Sequence, residues 1–244
     1  MADGIYSAVS GAVAQARRLD VVANNLANVS TRGFKGGRAA FAEILARSAG
    51  ASSGSADVRY AELTTTKIDL RPGALRQSGK KSDVSLEGPG LFAVKRGKET
   101  LYTRALDLRV DQRGTLMDTR GVALLDERNK VIRVADPNAD VRIGEDGSVR
   151  VGNKQLARLQ IVEALSPQSL SRRGETLFAA TPAAKLRLAQ STRARQGYIE
   201  SSNVNFVRGM TEMIEASRSY EAFHRVISTF KEVDSKMTTI ADRR

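Results

Sequence analysis

The chain has 244 residues and carries 39 Lys and Arg against 27 Asp and Glu, which gives a formal net charge of +12 at pH 7. It contains no cysteine and one histidine, so disulfides and thiol nucleophiles are excluded and we expect no metal site and no cofactor. The length is compatible with one large or two modest domains. The positive charge is compatible with nucleic acid, anionic glycopolymers or acidic proteins as partners, but no basic run of the nucleic-acid type occurs, so nucleic acid is not expected.

Residues 1–18 contain no basic region followed by an apolar run, so we expect no cleaved secretory signal peptide. The sequence also lacks an apolar stretch of the length that a membrane-spanning helix needs, so no membrane insertion is expected.

Residues 4–28 are predicted to form a helix, because apolar side chains recur at spacings of three, four and seven. Its only charged residues are Arg17, Arg18 and Asp20, and the positions beside the stripe are mostly small. A helix with so few charges avoids water over most of its circumference, which indicates neighbours on several sides. The predicted seam of this helix includes Ile5, Leu19 and Val22.

The C-terminal end shows a heptad pattern that predicts a long helix. Ile199, Phe206, Met213, Tyr220 and Ile227 recur at sevens, and the positions interleaved with them are Gly209, Ala216, Phe223, Phe230 and Met237. Ser202 or Asn203 is predicted to cap this helix. Because an isolated helix of this length is marginal in water, we expect it to pair with the N-terminal helix in a coiled coil, with Phe206, Phe223, Ile227 and Phe230 on the seam. The alternative is two ordinary helices of a globular bundle.

The middle of the chain predicts strands, since short β-branched and apolar runs alternate with glycine-containing turns every 8 to 12 residues. Runs 108–110 and 115–117 flank one such turn, and runs 141–143 and 149–151 flank another. The predicted fold class is therefore α+β, with an all-β domain inserted between two terminal helices. The predicted boundaries are 1–35 plus 196–244 for the helical domain, 82–181 for the β domain, and 36–81 plus 182–195 for the connecting segments.

Catalytic patterns are absent from the sequence. His224 lies on the C-terminal helix, where a packing role is favoured over catalysis. Asp136, Asn138 and Asp140 resemble the start of an EF-hand, but Val141 and Gly147 stand where that loop requires Gly and Glu. The glycines near Gly33 follow a helix, which favours a left-handed helix-ending turn over a phosphate-binding loop. We therefore expect no enzyme activity.

Two long motifs at opposite ends resemble the signatures of the bacterial flagellar rod and hook axial proteins. The first is ANNLANVSTRGFK at 23–35, which contains Asn24, Asn25, Leu26, Ala27, Asn28, Thr31, Gly33 and Phe34. The second consists of QGYIESSNVN at 196–205 and EMIEASRSYEA at 212–222, which contain Ser202, Asn203, Val204, Met213, Ile214, Tyr220 and Glu221. Segments 88–94, 102–104 and 111–116 resemble the β domain of the same family.

The resemblance implies a structural subunit of the flagellar basal-body rod that catalyses no reaction. Such subunits are exported unfolded through the flagellar type III export apparatus, without a cleaved signal peptide, and polymerise with themselves and other rod proteins into the hollow, periplasm-spanning rod. The short Ser-rich segment after Leu45 is most similar to the proximal rod protein. A distal rod or hook-type protein is the alternative within the family, and a basic coiled-coil protein that binds an anionic polymer is the alternative of another class.

The three asparagines of the first motif are uncharged groups that both donate and accept hydrogen bonds. We interpret Asn24, Asn25 and Asn28 as satisfying polar groups at subunit contacts without burying a charge. The alternative is that they only end the helix before Gly33.

Overall fold

The computed structural model describes residues 2–46, 58–166, 169–182 and 184–241. Within these ranges the chain is α+β, with helix α1 (Ala2–Ala27) before all strands and helix α2 (Phe206–Ala241) after them. The strands are β1 (Gly37–Ala46), β2 (Val58–Ile68), β3 (Leu75–Gln77), β4 (Asp83–Glu87), β5 (Leu91–Arg96), β6 (Glu99–Thr103), β7 (Ala105–Val110), β8 (Leu116–Asp118), β9 (Ala123–Leu124), β10 (Val141–Ile143), β11 (Ser148–Val151), β12 (Lys154–Arg158), β13 (Ile161–Ala164), β14 (Leu170–Arg172), β15 (Leu177–Ala180), β16 (Leu186–Leu188), β17 (Arg193–Gln196) and β18 (Tyr198–Glu200).

The chain divides into two compact units. The helical unit comprises Met1–Ala27, Gly37–Lys67 and Asn205–Arg244, and the β unit comprises Asn28–Gly36 and Ile68–Val204. These boundaries differ from the predicted ones, because strands occur in both segments that were expected to be connections. β17 pairs with β4 and β18 pairs with β3, so the backbone from 193 to 200 belongs to the β unit and not to a terminal helical domain.

In the helical unit, α1 and α2 pack against each other and run antiparallel. Gly4 faces the ring of Phe230, and Gly11 faces the ring of Phe223. At the other end of the pair, Gly209 faces Leu26. The absence of side chains at these glycines allows the bulky residue of the facing helix to approach the backbone.

Buried and half-buried apolar positions of α2 follow each other in alternating steps of four and three. They are Gly209, Met213, Ala216, Tyr220, Phe223, Ile227 and Phe230. Two members of the predicted series lie elsewhere, because Ile199 is in strand β18 and Phe206, the first residue of α2, is 51% exposed. The predicted caps are also wrong: the Asn205 side chain accepts a hydrogen bond from the Arg208 N–H at 3.0 Å and caps α2.

Strands β1 and β2 form a two-stranded sheet in which β1 follows closely on α1. Residues 47–57, which contain most of the Ser-rich segment, lie outside the described residues. Neither described helix has the length and apolar character together that crossing a membrane requires.

The β unit is built on an antiparallel sheet of eleven strands with the order β14-β15-β6-β5-β9-β8-β7-β4-β17, to which β13 and β16 attach through β5. A three-stranded sheet, β10-β11-β12, and the pair β18-β3 complete it. Two predicted hairpins are confirmed, since β7 pairs with β8 and β10 pairs with β11.

Large aliphatic side chains from both sheets meet in one apolar core. Its fully buried members include Val84, Leu86, Val94, Leu116, Val122, Leu124 and Val149. A smaller cluster around Phe178 joins Ile68, Leu91, Val162 and Leu170. At about 25 cal/mol per Å² of buried apolar surface, this core is the main source of stability in the β unit.

Candidate assembly site and buried ion network

The segment that follows α1 is anchored in the β unit. Gly33 has a φ of 68°, which confirms the predicted left-handed turn, and its N–H donates to the Glu200 carbonyl at 2.8 Å. The Asn28 side chain is buried and accepts a hydrogen bond from the Thr31 hydroxyl at 3.0 Å. Beyond this turn, Phe34 is fully buried. The first motif therefore ends inside the protein core and not at its surface.

Three charged side chains meet in the interior at this point. Lys35 and Glu200 have no exposed side-chain surface and form an ion pair, and Arg104 is 2% exposed. Arg104 Nε donates to Glu200 Oε2 at 2.7 Å, while the N–H of Gly73 donates to Glu200 Oε1 at 2.7 Å. One carboxylate thus neutralises one of two buried cations.

Both cations also donate hydrogen bonds to backbone carbonyls. Lys35 Nζ donates to the Arg71 carbonyl at 2.8 Å. The Arg104 guanidinium donates to three carbonyls, those of Leu86 at 2.9 Å, Gly88 at 2.7 Å and Gly90 at 2.5 Å. Among the described residues, Lys35 thus makes two hydrogen bonds with its three donors, and Arg104 makes four with its five. Because buried charges are costly unless they are paired and hydrogen-bonded, these partners make the network tolerable.

The network has one negative and two positive groups, so it holds a formal charge of +1 away from water. Arginine does not release its proton in proteins, which leaves Lys35 as the group that can relieve this charge. Burial lowers the pKa of Lys35 below its ordinary value of 10.5, although the Glu200 carboxylate opposes the shift.

Arg172 covers the same segment from β14. Its guanidinium lies 4.6 Å from the centre of the Phe34 ring and 5.7 Å from that of Phe178. It also donates to the Lys35 carbonyl and, at 2.8 Å, to the Glu175 carbonyl. Burial lowers the pKa of Arg172. The stacking and the hydrogen bonds together fix the backbone of the first motif against the sheet.

Asn203 from the second motif fastens the same segment. Its Oδ1 accepts from the Gly36 N–H at 2.8 Å, and its Nδ2 donates to the carbonyls of Asp69 at 2.8 Å and Arg71 at 3.0 Å. Beside it, the Ser202 hydroxyl accepts from the Val204 N–H at 3.2 Å. The carboxamide of Asn203 therefore ties its own segment to two others that are distant in sequence, at Gly36 and at residues 69–71.

Asn25 plays a corresponding role in the helical unit. Its Nδ2 donates to the Gly37 carbonyl and its Oδ1 accepts from the Gly37 N–H, each at 2.8 Å. Asn25 and Asn28 are thus engaged within their own chain. A role of Asn24, Asn25 and Asn28 at subunit contacts stays a prediction. Asn24 is exposed on α1.

The other predicted residues lie at varied depths in the helices. Val22 is buried, while Ile5, Leu19 and Leu26 are half-buried and Ala27 is exposed. On α2, Met213 and Tyr220 are half-buried, and Ile214 and Glu221 are exposed. His224 is exposed and its ring contacts that of Tyr220, with centroids 4.5 Å apart.

Each helix also carries an exposed apolar stripe at helical spacing. The α1 stripe consists of Tyr6, Val9 and Val13, and the α2 stripe consists of Val207, Met210 and Ile214. Residues i, i+3 and i+7 lie on one helix face, so each stripe is a continuous apolar strip.

Sequence reasoning did not single out Lys35, Arg104 or Glu200 as site residues. All three lie in segments that carried the family resemblance, and a charged residue inside such a segment was the available signal. Within the described ranges, no group of three or more His, Asp or Glu side chains is arranged to hold a metal ion.

Family models of flagellar proteins match three parts of the chain. The model described as flagella basal body rod protein matches residues 5–35. The flagellar hook protein FlgE/F/G D1 domain model matches 85–151, and the flagellar basal body rod FlgEFG protein C-terminal model matches 195–240. Lys35, Arg104 and Glu200 each fall in a different one of these matched parts.

Similar proteins align over nearly the whole chain. The flagellar basal-body rod protein FlgG of Agrobacterium fabrum is 30% identical over 253 residues, which cover 93% of this chain and 95% of the relative. FlgG of Bacillus subtilis is 28% identical over 262 residues, covering 98% and 99%. The rod protein FlgF of Caulobacter vibrioides is 27% identical over 233 residues, covering 96% and 95%. The chain therefore belongs to the flagellar basal-body rod protein family and is a structural rod subunit.

Proposed function

We propose that this chain polymerises through its terminal helices, with itself and with other rod proteins, into the hollow rod of the flagellar basal body. Export through the flagellar export apparatus, without a cleaved signal peptide, is part of the proposal. It acts there as a structural component and catalyses no reaction. A position in the proximal rod is favoured by the short segment of residues 47–57 between β1 and β2.

The observation that carries the proposal is the pair of exposed apolar stripes. Apolar faces that remain uncovered in a single chain are typical of surfaces that another protein covers. The α1 stripe lies in a stretch, residues 4–16, that contains no charged side chain. A helix of this composition is suited to burial among neighbouring helices and not to contact with water.

The packing within the helical unit supports a coiled-coil arrangement of α1 and α2. The alternating steps of four and three along α2 give the 3.5-residue period of a coiled-coil seam. Small residues at Gly4 and Gly11 receive the Phe230 and Phe223 rings from the other helix. This pair would present both stripes on the surface of the helical unit, where subunits meet.

A charge placed in either stripe tests the proposal. Val9→Asp and Ile214→Asp put a carboxylate on faces that are exposed in the single chain, so the purified variants should unfold at the wild-type urea concentration. In the bacterium that encodes the chain, each variant should reduce swimming and the yield of rods in isolated basal bodies by at least about tenfold.

The matched control is Leu165→Asp, which places the same charge at an apolar residue of the β unit that is 55% exposed, close to the 52% of Ile214. The control should swim normally. Normal rods and swimming with both helix variants would refute assembly through the terminal helices.

A further inference from the structure

A cavity of about 270 Å³ opens on the β unit between the turn after α1 and the turns that precede β9 and β15. We call it the acidic cavity, because four carboxylates, those of Asp83, Asp107, Asp118 and Glu175, line it against two guanidiniums, those of Arg32 and Arg120. The cavity lining therefore carries more negative than positive side chains, whereas the chain as a whole has a net charge of +12.

Only part of this negative charge is neutralised by the chain itself. Arg120 Nε contacts Asp118 Oδ1 at 2.6 Å, so these two side chains form a pair. Arg32 contacts Asp83 Oδ1 at a longer 3.3 Å. Within the described ranges, the carboxylates of Asp107 and Glu175 make no hydrogen bond or ion pair.

Asp83 is a second, independent sign that a donor is missing. It lines the cavity, it is 2% exposed, and its Oδ2 has no hydrogen-bond partner among the described residues. A buried acceptor that has lost water and gained no donor is destabilising, and most buried polar atoms in folded proteins are paired. Asp83 therefore borders the cavity with one carboxylate oxygen bound to Arg32 and the other without a donor among the described residues.

The residues that line the cavity favour a donor with both an apolar and a charged part. Ala105, Leu106 and Ile199 supply apolar surface beside the carboxylates. Arginine and lysine side chains have the matching form, since their aliphatic stems pack on apolar surface while the charged head reaches a carboxylate. The fork of a guanidinium also bonds two oxygens at once, which favours arginine over lysine.

A larger cavity of the same unit, about 570 Å³, shows what a neutralised site looks like here. It is bordered by Glu127, Glu145 and Asp146. Arg158 lies 3.8 Å from Glu127 and 3.0 Å from Asp146, and Arg195 lies 2.5 Å from Glu145. Each of these carboxylates already has a cationic partner within the chain, so this cavity is not expected to bind a further basic group.

We propose that the acidic cavity binds an arginine side chain of a neighbouring copy of this chain. Every copy carries an excess of basic side chains, so the guest is supplied by the assembling protein itself. Binding of the guanidinium follows from the cavity alone, whereas its source in a second subunit rests on the proposed function. The contact would hold β units of adjacent subunits together in addition to the helices.

The first arm of the test measures binding by the full-length chain in dilute solution, with N-acetyl-arginine amide as the probe. Saturable amide shifts in NMR spectra are expected at Leu106, Thr119 and Ile199. The neutral isostere N-acetyl-citrulline amide should cause none. Asp107→Asn and Glu175→Gln should each weaken binding by about tenfold, while Glu127→Gln, the same charge change at the larger cavity, should leave it unchanged. Absence of shifts with the arginine probe, or equal shifts with citrulline, overturns the site.

The second arm tests the source of the guest. Because the chain lacks cysteine, Thr119→Cys gives one thiol at the cavity and Lys154→Cys gives one on the exposed start of β12. In isolated rods, maleimide labelling of the cavity thiol should be at least about tenfold slower than in the dissociated chain. The β12 thiol is the reference for general access of the reagent. Equal labelling of the cavity thiol in normal rods would overturn a neighbouring subunit as the source and leave the rod function intact.

Discussion

The Lys35 ammonium and the Glu200 carboxylate form an ion pair in which neither side chain has exposed surface. The two residues are 165 positions apart in sequence, one just after α1 and the other just before α2. Arg104, which lies between β6 and β7, completes the network, so three segments of the β unit that are distant in sequence are joined at one carboxylate. Removing either partner of such a pair leaves a charge that water cannot reach.

The first prediction concerns this carboxylate. Glu200→Gln should lower the free energy of unfolding by about 3–5 kcal/mol, because Lys35 and Arg104 both lose their anionic partner in the interior. Urea unfolding followed by circular dichroism measures the loss. The control is Glu212→Gln, which breaks the 2.9 Å surface pair with Arg208 and should cost less than about 1 kcal/mol. Equal losses for the two variants would contradict a stabilising network.

The second prediction concerns pH. Burial lowers the pKa of Lys35 in the folded chain below 10.5, so between the lowered pKa and 10.5 the unfolded chain binds more protons at this residue than the folded chain. The free energy of unfolding contributed by Lys35 must therefore rise with pH through that window and level off above it. Urea unfolding of the wild type and Lys35→Met from about pH 8 to about pH 11 tests the sign. The free energy of unfolding of the wild type minus that of Lys35→Met is the quantity compared. If it falls as pH rises, the Glu200 carboxylate affects the pKa of Lys35 more than burial does.

Features of the fold that depend on residues close together in sequence follow from the linear pattern, whereas contacts between distant residues do not. The hairpins around 111–114 and 144–147 were predictable because turn chemistry and alternation are local. The network of Lys35, Arg104 and Glu200 was not, because nothing local distinguishes a buried charge from a solvated one. Ile199 was misassigned for a related reason: it continues the sevenfold spacing of α2, but its backbone pairs with Arg76 in β3. Tertiary pairing overrides a periodicity that one residue shares by coincidence.

The third prediction concerns Asn25. In Asn25→Asp the donor that faces the Gly37 carbonyl becomes an oxygen, so one hydrogen bond is replaced by repulsion between two acceptors. Because this repulsion displaces the side chain that also accepts from the Gly37 N–H, exchange of the Gly37 amide hydrogen should accelerate by at least about tenfold, while the amides of β5 remain unaffected. Asn153→Asp makes the same charge change at an exposed turn residue and serves as the control. Unchanged exchange at Gly37 would mean that the pairing contributes nothing to local stability.

The fourth prediction concerns the contact between the two helices. A Cβ at Gly11 would lie 2.5 Å from the Phe223 ring, so Gly11→Ala should weaken the pair of helices by about 1–3 kcal/mol. Helix propensity alone predicts the opposite sign, since Ala is favoured over Gly by about 1 kcal/mol. Phe223→Leu removes the ring, and adding it to Gly11→Ala should recover part of the loss. Helicity measured as a function of urea concentration shows whether Gly11→Ala destabilises or stabilises the pair of helices. Stabilisation would show that the helices are not in close contact at this point.

The last prediction concerns the order in which the units become stable. In the described part of α1, the buried apolar residues are Ala8, Ala12, Ala14 and Val22. Among the α2 side chains whose burial is described, residues 206–236, Ala216 is the one buried apolar residue other than glycine. Small side chains remove little apolar surface from water, at about 25 cal/mol per Å², while fixing each residue costs about 1–2 kcal/mol of backbone entropy. The β unit, by contrast, buries whole clusters of Val, Leu and Phe. The helical unit of the dilute single chain should therefore open far more often than the β unit.

Amide hydrogen exchange of the single chain measures both units at once. The strands around Val94 and Val149 should exchange at least about a hundredfold more slowly than the middle of α1 and of α2. In isolated rods the helix amides should become protected, because neighbouring subunits then cover the stripes that contain Val9 and Ile214. Such coupling would keep subunits from associating before they reach the growing end, since the contact surface forms only where partners are present. Helices that are as well protected in the dilute chain as the strands would show that they fold without neighbours.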